Sequence, residues 1–97
     1  MDSIVTKYTN YCAFCGKPTT TEHHLVFGIS QRTLSEEDGL KIGICDKCHE
    51  FHKTQPIACK FSKMLGQLAY EKHEVAKGVS EEDAREKFRQ RYGISYL

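Results

Sequence analysis

The chemistry open to this sequence lies in its five cysteines and five histidines. Four of the cysteines form two C-x-x-C pairs, Cys12/Cys15 and Cys45/Cys48, with 29 residues between them. A tight turn lets the two thiolates of such a pair converge, and the glycine that follows the first pair, Gly16, relieves the backbone just beyond it. Four soft thiolates make a closed tetrahedral site, the structural kind that leaves no position for substrate, and Zn²⁺ is the ion that suits it. In a chain of only 97 residues such a site adds folding free energy to a modest core. Cys59 has no partner left and reads as a small buried residue on a helix.

A four-cysteine site needs none of the histidines, yet four of them flank it. His23 and His24 are adjacent on an expected strand, so their side chains point to opposite faces. His49 and His52 are three apart on an expected helix and share one face. If strand and helix pack together, one strand histidine and one or two helix histidines converge on a second, nitrogen-rich metal site with open positions, as catalysis requires. His73 stays outside this set, on the exposed side of a long helix.

The elements that must position these residues can be read in order. Residues 4–11 alternate loosely and are rich in β-formers, so a short strand is expected there. The first knuckle follows, then a turn at 17–21 and a short apolar strand over 22–28, entered by the two histidines. Residues 29–39 are polar and acidic and read as a loop or a single helical turn. Leu40–Ile44 alternates with period two, a second strand that runs straight into the second knuckle. That knuckle should open a helix carrying His49 and His52. Pro56 marks the start of a long helix whose apolar stripe is Ile57, Phe61, Met64, Leu65, Leu68, Ala69 and Val75 or Ala76. Gly78 stops it. Ser80 followed by Glu81-Glu82-Asp83 caps a last helix that ends at Gly93. The fold class is α+β: one domain over 1–97, with a zinc-stapled core over 12–53 made of two short antiparallel strands and a helix, and a helical extension over 54–97.

Composition bounds the partners. With 39% hydrophobic and 28% charged residues the chain is an ordinary globular one. It has no apolar run near the ~20 residues that span a bilayer, so no membrane partner is expected. The first residues lack the basic and apolar regions of a secretory signal, so a reducing cytoplasm is expected, where cysteine pairs mean metal or catalysis and not disulfides. Net charge is +1. Residues 1–52 hold five Lys/Arg against seven Asp/Glu, or −2; residues 53–97 hold nine against six, or +3. Arg85, Lys87, Arg89 and Arg91, interleaved with Phe88 and Tyr92, therefore form either a phosphate-contacting helix or a solvated face over a core.

C-x-x-C-G, then His23-His24-Leu25, then Gly39-Leu40 leading into Ile44-Cys45-Asp46-Lys47-Cys48-His49, closely resembles the HNH endonucleases. In particular it is similar to the small zinc-containing members common in phages and prophages. The resemblance implies a ββα-metal core and roles by position. His23 stands where the family has a metal-binding Asp, His24 is the general base, and His49, directly after the last cysteine, is a metal ligand. His52 is a further ligand, a phosphate contact or a bystander. A neutral histidine in place of the aspartate favours a borderline ion, so the second metal is Mg²⁺, Mn²⁺, Ni²⁺ or Zn²⁺, with the borderline ions preferred. The family's central Asn, which orients the base, aligns near Gly39, leaving Asp38 or a backbone carbonyl to do that work. The implied activity is one-metal hydrolysis of DNA phosphodiesters, with Arg32 holding the phosphate, in a bacterial or phage-infected cytoplasm. The alternative is a zinc module of the same fold without catalysis, binding nucleic acid or a protein partner as a phage inhibitor or adaptor.

Overall fold

In the computed structural model, which describes residues 1–97, two strands and four helices follow in the order β1 (Glu22–His24), α1 (Gln31–Asp38), β2 (Lys41–Gly43), α2 (Asp46–Thr54), α3 (Pro56–Ala76) and α4 (Glu81–Tyr92). The strands pair antiparallel with Glu22 opposite Gly43, His23 opposite Ile42 and His24 opposite Lys41. This is an α+β fold, and no helix in it is long and apolar enough to cross a membrane. Both strands are shorter than expected, because the chain beyond His24 turns inward and buries Leu25 and Val26 completely. With Leu40, Ile42, Tyr70, Phe88 and Tyr92 they make the core.

Three local expectations are corrected. Residues 4–11 form no strand; only Tyr11 makes an isolated bridge, to Pro18. Local side-chain bonds win there. Ser3 Oγ accepts from the amides of Val5 and Thr6, and Thr6 Oγ1 accepts from Tyr8, which holds the backbone in turns and out of a ladder.

The second correction is residues 31–38, which form an eight-residue helix and not a loop or a single turn. The polar sequence hides its anchor, Ser35. This buried hydroxyl donates to the Val26 carbonyl at 2.7 Å and accepts from the Val26 amide at 3.2 Å, pinning α1 to the end of β1. Gly39 ends the helix at φ 70°, and a Cβ there would lie 2.4 Å from the Asp2 carbonyl oxygen. This position, near which the resemblance would put an Asn, therefore admits only glycine.

The third correction is the register of α3. Its inner face is Ala58, Ser62, Gly66, Gln67, Tyr70 and Glu74, rotated about one residue from the apolar stripe. Ile57, Phe61, Leu68 and Val75 are exposed, while Leu65 and Ala69 pack at the edge of the core. Two of the polar residues face inward because they satisfy backbone groups of other segments, Ser62 donating to the Leu25 carbonyl at 2.8 Å and Gln67 accepting from the Tyr96 amide at 2.7 Å, while Glu74 pairs with Lys87 of the last helix. Gly66 sets the approach: a Cβ there would meet Val26 Cγ2 at 2.7 Å and Leu25 Cβ at 3.0 Å, so only glycine lets α3 come this close to the end of β1. The last helix is as expected. Ser80 Oγ caps it by accepting from the Asp83 amide at 3.1 Å, and Ala84, Phe88 and Tyr92 are buried.

Candidate metal centre and adjoining histidine cleft

The two knuckles meet. Cys12 and Cys15 lie on a turn closed by the Gly16 amide donating to the Cys12 carbonyl at 2.9 Å, with Gly16 at φ 78°. Cys45 is the N-cap of α2 and Cys48 sits in its first turn. Their four sulfurs lie within 4.8 Å of one another. Thiolates around a zinc ion at ~2.3 Å are roughly 3.8 Å apart, so the cluster fits a tetrahedral ion.

Without a cation the thiols do not ionise alike. For Cys12, burial works against ionisation, but bonds from the backbone of Cys15, Cys45 and Phe14 outweigh it and lower the pKa to about 6. Cys48 is pushed up to about 12 by its contact with Cys45 and by burial. Four thiolates at this spacing require a cation to be ionised together. The group can hold a metal ion, and zinc suits its donors. Cys59 stays apart and is half-buried, not buried as expected, its thiol donating to the His52 carbonyl at 2.8 Å.

β1 sends its two histidines to opposite sides, as the strand period demands. His23 is 6% exposed and faces α2 and α3. Its ring centre is 5.4 Å from that of His49 and 5.8 Å from that of His52. Its Nε2 lies 2.9 Å from Ser62 Oγ. Burial, then the neighbouring His49, His52 and His24, lowers its pKa to about 4, so the ring is neutral at physiological pH. Burial also lowers His49, and it lowers His52 against an opposing contribution from the Ala58 backbone. The His52 ring stacks on Phe14 at 4.4 Å, and its buried Nδ1 has no hydrogen-bond partner. The four cysteines are the one group of three or more side chains whose donor atoms already converge on a point; the histidine nitrogens share a cleft but stand further apart.

His24 faces α1. Its Nε2 is 3.0 Å from Glu36 Oε1, and Glu36 Oε2 accepts from Lys41 Nζ at 2.8 Å. The Lys41 bond, then the His24 bond, lowers the Glu36 pKa to about 2, so it is a carboxylate. A carboxylate only accepts, so His24 donates to it through Nε2–H, and in the neutral ring the lone pair is on Nδ1. Asp38 does not orient His24. It accepts from the Tyr92 hydroxyl and from Arg91 Nε, each at 2.7 Å.

Both histidine environments open on one cleft of about 350 Å³, lined by Glu22, His23, His24, Phe27, Arg32, His49, His52 and Lys53. Arg32, on α1 and not in a loop, makes no ion pair, and neither does Lys53. The basic residues of α4 differ. Arg85 pairs with Glu71 at 3.3 Å, Lys87 with Glu74 at 2.9 Å, Arg89 with Glu86, and Arg91 with both Glu37 and Asp38. Their charge is largely balanced within the chain, and Phe88 and Tyr92 beneath them are core.

Sequence reasoning missed Glu36, Lys53 and Ser62 as parts of this region. A helix over 31–38 is the signal that would have placed Glu36 beside Arg32. Compared with known protein families, curated proteins and solved structures, the chain matches none.

Proposed function

We propose that this chain is a metal-dependent nuclease that hydrolyses DNA phosphodiesters, with His24 as general base. One observation carries the reading: a single cleft joins His24, which is bonded to Glu36, with three further histidines and two cations without carboxylate partners. His24 Nδ1 takes a proton from water, and the Glu36 carboxylate stabilises the imidazolium that forms. Arg32 pairs with non-bridging oxygens of the phosphate, and Lys53 adds a second positive contact.

His23 and His49, with His52 beside them, are the residues that would hold a divalent ion. Two imidazoles sharing an ion at ~2.1 Å have ring centres roughly 5 Å apart, and the His23–His49 spacing of 5.4 Å is near that. The orphaned Nδ1 of His52 is a buried donor atom in want of a partner. When bound, such an ion offsets charge on the phosphate and on the leaving oxygen. Zn²⁺ at the four cysteines is structural and ties the first knuckle to α2. Thiolate ligation calls for a reducing compartment, which makes the cytoplasm the proposed location.

Plasmid nicking with Mg²⁺, Mn²⁺, Ni²⁺, Co²⁺ and Zn²⁺ tests the reading. Wild type should cleave with at least one ion. His24→Ala should lose ~10²–10⁴-fold in rate while keeping its fold, its zinc and its DNA affinity. No cleavage with any ion overturns it.

A second reading, a zinc module that docks on a protein without catalysis, draws on the exposed Ile57, Phe61 and Leu68 of α3. It predicts one metal ion per chain and no nicking.

A further inference from the structure

The proposed nuclease site leaves one buried polar residue without a role. Ser62 lies on the inner face of α3, 1% exposed, between His23 and the end of β1. Its Oγ is 2.8 Å from the Leu25 carbonyl oxygen and 2.9 Å from His23 Nε2. A hydroxyl has one proton to give. The carbonyl can only accept, and Ser62 is its one donor, since the Leu25 peptide lies beyond β1 and makes its other bond through the amide, to the Leu40 carbonyl. Turning the serine proton toward His23 would leave two acceptors facing each other at 2.8 Å in a site closed to water. The proton therefore goes to Leu25, and Ser62 Oγ accepts from His23.

We infer that Ser62 is a positioning residue that holds His23 in the Nε2–H tautomer, so that Nδ1 is its metal-binding nitrogen. This rests on the proposed histidine metal site. A neutral imidazole has one lone pair, and only the nitrogen not bonded to Ser62 has it. Fixing the far nitrogen of a ligating histidine sets both its tautomer and its ring orientation. Here that anchor comes from a helix outside the ββ-hairpin and α2. Gly66, one turn along from Ser62, is what allows it, because α3 could not otherwise come within hydrogen-bond reach of Leu25.

The test begins with the full chain, zinc-loaded at the cysteines and with no second ion. Long-range ¹H–¹⁵N spectra of histidine-labelled protein distinguish protonated from bare ring nitrogens. Wild type should show His23 protonated at Nε2 and bare at Nδ1. A protonated Nδ1, or an even mixture, overturns the inference. Ser62→Ala should give mixed tautomers and weaken Ni²⁺ binding at the histidines, followed by calorimetry, by about 10–100-fold. Ser62→Thr, which keeps the hydroxyl, should restore both. Ser62→Ala with an unchanged single tautomer and unchanged Ni²⁺ affinity also overturns it. Should Ser62→Ala fail to fold, the wild-type spectrum and the threonine variant still decide. If wild type shows the expected tautomer but binds no Ni²⁺ beyond the cysteines, the histidine metal site fails, and the ligand role of Nδ1 with it, while the Ser62–His23 bond is confirmed.

Discussion

Replacing Glu36 by glutamine removes the charge that His24 faces when it takes up a proton. The two side chains are 3.0 Å apart, and Lys41, 2.8 Å from the other carboxylate oxygen, keeps Glu36 ionised. The glutamine amide would still offer its oxygen to the Nε2–H, but the NH2 that replaces the other carboxylate oxygen cannot accept from Lys41, so that bond is lost together with the attraction to imidazolium. A hydrogen bond to a charged group is worth about 1.5–3 kcal/mol. The Glu36 side chain is 44% exposed, however, and exposed ion pairs contribute only about 0.2–1 kcal/mol. Between those limits, about 1–2 kcal/mol leaves the transition state, a loss of about 5–30-fold in the chemical step. Glu36→Ala removes orientation as well and should fall toward His24→Ala, about 10²–10⁴-fold down. Single-turnover nicking of supercoiled plasmid measures all three, with zinc content and melting temperature as controls. Glu36→Gln and Glu36→Ala both within twofold of wild type would refute the role of Glu36. So would a Glu36→Gln variant as inactive as His24→Ala, because the carboxylate would then be taking part in the reaction directly.

Cys45→Ser should leave the chain largely unfolded by circular dichroism. A structural zinc contributes about 10–16 kcal/mol, as much as the whole stability of a small domain; a variant melting within a few degrees of wild type would remove the structural-zinc assignment. Arg32→Gln and Lys53→Gln should each reduce the salt dependence of DNA binding by about one unit of slope, measured by fluorescence anisotropy. Lys87→Gln and Arg91→Gln should leave that slope unchanged, because their charges already face Glu74 and Glu37/Asp38; a fall of one unit for either would restore α4 as the phosphate-contacting face.

What could be read from the sequence was what is local. Each C-x-x-C pair is one turn, so its two sulfurs were certain to be neighbours, and the hairpin with α2 had only to bring two turns together. Period two put His23 and His24 on opposite faces, and the i, i+3 spacing kept His49 and His52 on one. What could not be read depends on contacts between distant segments. Glu36 became a partner for His24 only when residues 31–38 proved helical, and that helix rests on Ser35 bonding to Val26, nine residues away. Nothing in the polar run Gln31–Asp38 announces a buried serine. Asp38, nearer to the expected Asn position, was the natural candidate, but Tyr92 and Arg91 from α4 hold it.

The register of α3 failed for a reason that concerns function. An apolar stripe normally marks the buried face because burying it stabilises the helix most. In this chain some backbone groups outside the regular elements, the Leu25 carbonyl and the Tyr96 amide among them, are satisfied by side chains. α3 does this with polar residues. Ser62 takes the Leu25 carbonyl, and Gln67 takes the Tyr96 amide while donating to Ser95 Oγ at 2.9 Å. Glu74 receives Lys87 from α4. Turning the helix by one residue to bury Ile57, Phe61 and Leu68 would add apolar area, at roughly 25 cal/mol per Å². It would also orphan buried groups at about 1–3 kcal/mol each and withdraw Ser62 from His23. The observed register gives up some hydrophobic burial, satisfies the backbone behind β1, and holds a histidine of the cleft by its far nitrogen.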